Sequence, residues 1–168
     1  MANEIKKFDS VGGFSVDRTE VLDQQKNAKN LNTLEVKNSF FQDATKTNYI
    51  LRGLDGNILA TNNVGGLLIL ASSTINFITA HIVAVNQTGG GSYSVKIESA
   101  VDCNASGNVT TLSSLTTVIK DNIPAGQIWT IVPYDSGANN RFSYDAGRQG
   151  TFDTIKWTAS VEVISISW

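Results

Sequence analysis

The sequence predicts an all-β fold, an antiparallel sandwich or barrel, on three observations. From residue 46 onward, apolar side chains recur mainly with period 2, as expected of strands with one buried face. The apolar runs are separated by QTGGG, DCNASGN, DNIPAG, DSGANN and DAGRQG, clusters of the Gly, Asn and Asp that supply positive φ and self-capping turns. No segment after residue 46 sustains a 3.6-residue period.

The elements follow in order. Residues 1–45 are dense in Lys, Asn and Gln, and their apolar residues come in short groups: Phe8, Phe14 with Val16, Leu31, Leu34, and Phe40 with Phe41. DRTE at Asp17 to Glu20 fits a capping box and predicts a short helix over 18–28. The competing reading is an extended arm whose isolated apolar groups dock elsewhere, and it sets the expected division at 1–45 (arm) and 46–168 (sandwich). TNYILRGL and GGLLIL open the strand series. STINFITAHIVAV is apolar on both parities, which predicts burial on both faces or a bulge. SYSVKIESAV alternates cleanly, with Tyr93, Val95, Ile97 and Val101 on one face and Ser94, Lys96 and Glu98 on the other. VTTLSSLTTVI, QIWTIVPY and TIKWTASVEV complete the set.

The last residues, WTASVEVISISW, change parity. Trp157, Ala159, Val161 and Val163 are odd, whereas Ile164, Ile166 and Trp168 are even. A bulge would return the second group to the same core; a straight strand would send it through the opposite face, where another subunit would have to cover it. The straight strand is the preferred reading, so Ile164, Ile166 and Trp168 are expected at a subunit interface.

At 168 residues the chain is one domain, or one domain plus an arm, and buries roughly 70% of its unfolded surface on folding. Charged residues make up 17%, below the usual ~25%. Asn, Ser and Thr, 16 of each, take their place. The net charge is −2 and no basic run exceeds Lys6-Lys7, so no nucleic-acid partner is expected. No apolar stretch approaches the ~20 residues of a membrane span. MANEIKKFDS lacks the apolar core of a signal peptide, and Cys103 has no internal partner. Synthesis and assembly in a cytoplasm are therefore expected.

Catalytic signals are sparse. His81, the single histidine, sits in an apolar strand and reads as a hydrogen-bonded core or interface residue; Cys103 reads as a small side chain in a turn. No GxSxG, P-loop, HExxH or EF-hand pattern occurs. Asp135, Asp145 and Asp153 lie with Tyr134, Arg141, Tyr144 and Arg148 in one polar stretch. That stretch could contact a sugar, hold Ca²⁺, or form a solvated hairpin with internal salt bridges, and the hairpin is the reading adopted. The expectation is a protein without enzymatic activity, cofactor or metal.

The run FSVDRTEVLD followed by NAKNLNTLEV resembles N-terminal segments of virion structural proteins from tailed phages, particularly marine and cyanobacterial ones, and similar runs recur in the trimeric shafts of phage fibres. TINFITAHIVAVNQTG, GQIWTIVPYDSG and KWTASVEVISI resemble the jelly-roll-type sandwiches that cap fibres and decorate capsids. The resemblance implies a jelly-roll-like sandwich, an extended arm, a homotrimer and a place in the virion. A fibre usually has a long repetitive shaft, and at most 45 residues precede the sandwich here. That departure favours a capsid decoration or cement protein docking on capsid subunits through Phe8, Phe14, Val16, Leu31, Leu34, Phe40 and Phe41. The alternative is a tail fibre or short tail appendage. Its receptor- or host-glycan-binding tip would use Tyr134, Arg141, Tyr144 and Arg148.

Overall fold

The computed structural model describes residues 14–16, 19–22, 28, 31, 33–37, 39–86, 88 and 90–168. The chain divides into two compact units, Met1–Asn32 and Thr33–Trp168. In the first, β1 (Phe14–Val16) and β2 (Thr19–Leu22) pair antiparallel. The helix expected over 18–28 is therefore not formed at 19–22. A capping box is a local signal worth about 1 kcal/mol, and the segment lacks the apolar stripe that would hold a short helix against a partner. Thr19 and Val21, both β-branched, suit a strand instead.

The second unit is all-β and antiparallel. Its strands are β3 (Thr33–Lys37), β4 (Ala44–Leu54), β5 (Leu68–Ile69), β6 (Thr74–Asn86), β7 (Ser92–Cys103), β8 (Val109–Asn122), β9 (Ile128–Asp135), β10 (Arg141–Gln149) and β11 (Ile155–Ser167). Six form a large sheet in the order β3-β4-β11-β6-β7-β8; three form a small one in the order β5-β10-β9. Strand β10 lies inside a stretch read from sequence as turns. Its alternation of Phe142, Tyr144 and Ala146, all buried, is obscured in sequence by the turn-rich DSGANN before it and by DAGRQG, much of which is itself strand.

The two sheets share one core. Leu51 from β4, Ile78 and Ile82 from β6, Val95 and Ile97 from β7, and Trp157 from β11 pack in one cluster with Trp129, Phe142 and Tyr144 of the small sheet. Trp129 meets Trp157 edge to face at 6.4 Å, a favoured aromatic geometry. Their indole N–H groups donate to Gln127 Oε1 and to the Asp55 carbonyl. Removing roughly 150–250 Å² of Trp157 from water contributes about 4–6 kcal/mol at ~25 cal/mol per Å².

Strand β6 is not buried on both faces. Ile78, Ala80, Ile82 and Ala84 face the core, while Ile75, Phe77, Val83 and Val85 are 39–48% exposed on the other side. His81 joins that exposed face, so the core reading of this residue is corrected. The register of β6 with β7 and with β11 runs without interruption. Bulges fall instead in the β7–β8 pair, between Ser94 and Val95 and between Ala100 and Val101. Cys103 closes β7 rather than sitting in a turn, and it is fully buried.

Strand β11 also runs straight. Its pairing with β4 and β6 continues through Val163 and Ile164 without a shift. Trp157, Ala159, Val161 and Val163 are buried; Ile164, Ile166 and Trp168 are 46–69% exposed. Ile164 lies opposite Phe77 and Ile166 opposite Ile75, so the parity switch turns apolar side chains onto the outer face of the large sheet.

Candidate functional site

The large sheet is twice as wide as the small one, and the surplus strands overhang the core. Where β3, β4 and β11 extend past β5, inward-facing positions become polar. Strand pairing aligns them in rows: Glu35 with Thr47 and Val163, then Lys37 with Thr45 and Ser165. Tyr49 stands one pair further along β4, opposite Thr33 on one side and Val161 on the other. Ile69, Leu70 and Ala71 form the facing wall, and Gln42 and Asp43 form part of the rim. The cleft between them has a volume of about 320 Å³.

Its floor is fixed by a buried hydrogen-bond network. Asn76, wholly buried, donates through Nδ2 to Thr74 Oγ1 at 3.0 Å and to the Val101 carbonyl at 3.3 Å. Its Oδ1 accepts from the Ser165 hydroxyl, and Thr74 Oγ1 donates to the Ala71 carbonyl at 2.6 Å. The Ser167 amide donates to the Asp43 carbonyl at 2.9 Å, tying the end of β11 to the rim. Burial pushes the Tyr49 phenol above its ordinary value; the Thr47 hydrogen bond opposes this and the Glu35 charge adds to it. Tyr49 is therefore a protonated donor at neutral pH.

The residues expected from sequence to form a receptor surface do not converge. Arg141 is exposed at the start of β10 with Tyr134 nearby on β9, and Arg148 lies toward the opposite end of β10. Arg148 pairs with Asp55 at 3.1 Å and also donates to the Asp153 carbonyl. Tyr144 is fully buried. Burial pushes its phenol well up; the neighbouring Ser99 hydroxyl offsets this in part without reaching hydrogen-bond geometry, and both oxygens are left without a partner.

The three aspartates of that stretch do not converge either. Asp135 lies opposite buried Phe142, and Asp145 opposite exposed Val132, so the two point to opposite faces of the small sheet. Asp135 accepts from the Thr111 amide, and Asp153 from Asn86. Among the expected arm contacts, Phe8 lies outside the described residues, and Phe14 and Val16 bound β1. Leu31 and Leu34 are about half exposed, and Phe40 and Phe41 are 89% and 65% exposed. Burial raises the Cys103 thiol, helped by Asp102 and opposed by Asn140. Among the described residues, no group of three or more His, Cys, Asp or Glu is placed to hold a metal.

Sequence reasoning missed the cleft. The available signal was a polar alternation, Thr45, Thr47 and then Tyr49, on the strand face that pairs with the core side of β11.

The fold and cleft define a two-sheet antiparallel β protein with a polar recess at one sheet end. No protein-family model matches the chain, and no curated protein matches it. Among solved structures it is similar to tailspike protein gp49 of Acinetobacter baumannii bacteriophage Fri1, described as a capsular polysaccharide depolymerase. The TM-score is 0.43 at 17% identity, over 88% of this chain and 22% of the tailspike. The chain thus spans about a fifth of that protein's length, and a likeness of this degree assigns it no activity. The comparison does overturn the sequence-based exclusion of enzymes, because the neighbouring structure is itself an enzyme by its description.

Proposed function

We propose that this chain is a virion subunit of a tailed phage, of the tail-appendage class, and that it forms a homotrimer through the outer face of its large sheet. The observation that carries the assembly is an apolar strip on that face. Leu34 and Val36 of β3, Ile164 and Ile166 of β11, and Ile75 and Phe77 of β6 are 39–57% exposed. Lys46 of β4 lies between Val36 and Ile164 in the same cross-strand row, its ammonium paired with Glu162 at 2.6 Å, and a lysine stem covers apolar surface beneath its charged head. Trp168 follows at the end of β11, 69% exposed. Soluble monomers rarely leave contiguous apolar patches beyond a few hundred Å², and larger ones mark interaction sites.

The virion placement and the threefold order are supported by the resemblance of FSVDRTEVLD and NAKNLNTLEV to phage structural proteins. A jelly-roll-like description of the sandwich belongs to the same proposal. It is supported by the pairing of β4 with β11 in one sheet and of β5 with β10 in the other. Capsid decoration is the second reading. It is favoured by the exposure of Leu31, Phe40 and Phe41 in the segment expected to be an arm. Copy number separates the two, since hundreds per particle indicate the capsid and a few to tens indicate the tail.

The assembly is tested by sedimentation velocity on the full chain and on the double variant Phe77→Asp, Ile166→Asp. The wild type is expected to sediment as a trimer. The variant is expected as a monomer with an unchanged far-UV spectrum. A monomeric wild type, or a variant that stays trimeric, would overturn the proposal.

A further inference from the structure

We infer that the cleft beneath β3, β4 and β11 binds a neutral saccharide. Its volume of about 320 Å³ lies at the lower end of the ~300–1,000 Å³ typical of ligand sites, which suits one or two sugar rings. Ligand sites are usually apolar with a few polar groups; this one is lined mainly by hydroxyls and charges, so it suits a ligand that is polar over most of its surface.

The hydrogen-bonding capacity is directional. Ser165 gives its proton to Asn76, so a lone pair remains for a ligand donor. Thr74 is committed, donating to the Ala71 carbonyl and accepting from Asn76. Tyr49 supplies a phenolic donor, and the Glu35 and Asp43 carboxylates are acceptors. Neighbouring hydroxyls on a sugar ring both donate and accept, which matches this mixture.

Charge narrows the class. Two carboxylates, Glu35 and Asp43, face one ammonium, Lys37. A uronate, sialate or phosphorylated sugar would meet a net negative lining, and like charges at short range oppose binding. A divalent cation lacks a third protein carboxylate, thiolate or imidazole here among the described residues.

The inference does not depend on the proposed assembly, since the cleft opens on the inner side of the sheet and the apolar strip lies on the outer. The test places the purified full chain on an array of neutral, uronate-bearing and phosphate-bearing oligosaccharides. The best neutral ligand is then titrated calorimetrically against the wild type, Glu35→Gln, Thr47→Val and Arg141→Ala. Binding is expected on neutral features only. Glu35→Gln should weaken it by about tenfold or more, as loss of a charge-assisted hydrogen bond does. Thr47→Val should weaken it severalfold, and Arg141→Ala should leave it unchanged. Because Glu35 is exposed on an edge strand, its variant reports binding without threatening the fold. Absence of binding to every neutral feature, preference for anionic features, indifference to Glu35→Gln, or loss on Arg141→Ala would each overturn the inference.

Discussion

Strand β6 of the large sheet is apolar on both faces, yet only one is covered. On β6 the inner face presents Ile78, Ala80, Ile82 and Ala84 at 0–1% exposure. The outer face presents Ile75, Phe77, Val83 and Val85 at 39–48%. Composition does not distinguish them; what does is the presence of an opposing layer. The inner face carries the stability of the unit, and the outer face is free to carry association.

Trp157→Ala breaks the comparison from the inner side and should have the largest effect. It removes a buried indole that packs against Trp129 and donates to the Asp55 carbonyl. A loss of about 3–5 kcal/mol is expected, read as an earlier midpoint in urea with an unchanged slope. If the midpoint hardly moves, the two sheets do not share one core.

Phe77→Ser probes the outer side. In the monomer it removes a half-exposed side chain and one cross-strand pair with Ile164. The expected loss of monomer stability is about 0.2–1 kcal/mol, measured at concentrations low enough to keep wild type and variant monomeric. A loss as large as that of Trp157→Ala would mean that the outer face is part of the monomer's core.

The smallest effect is expected from Tyr144→Phe. The phenol oxygen is buried without a partner, so its removal discards a desolvated polar group while keeping the ring against Phe142 at 5.4 Å. Stability should change by less than about 1 kcal/mol and can rise. A drop of several kcal/mol would show that the hydroxyl has a partner.

The strands were legible wherever one parity was apolar and the other polar, as in SYSVKIESAV, because period 2 reports a half-buried sheet directly. Where both parities are apolar, as in STINFITAHIVAV, the pattern announces two sticky faces and cannot say which meets the core. For that reason the pattern left His81 open between core and interface, and only its place on the exposed face removes the core reading. The straight course of β11 was legible as a preference, since its parity switch left only two geometries. The cleft was not legible. It exists because three strands face six, and sheet width is set by pairings across distant parts of the sequence, such as β4 with β11. Tyr144 was read as a loop residue because the glycine and asparagine clusters around it outweighed its alternation with Phe142 and Ala146.

The bulges in β8 bear on a different hazard. The large sheet ends in β3 and β8, and β8 is 14 residues long with exposed apolar groups that include Leu112, Leu115 and Ile119. A long flat edge of that kind is a template for strand addition by neighbouring chains. The register shifts leave Leu112 and Ile119 as the extra residues, interrupting the ladder at two points and increasing the local twist. An incoming strand could then zip along only a few residues before losing register. Many copies can thus crowd together without the open-ended sheet polymerisation that would turn a finite assembly into a fibril.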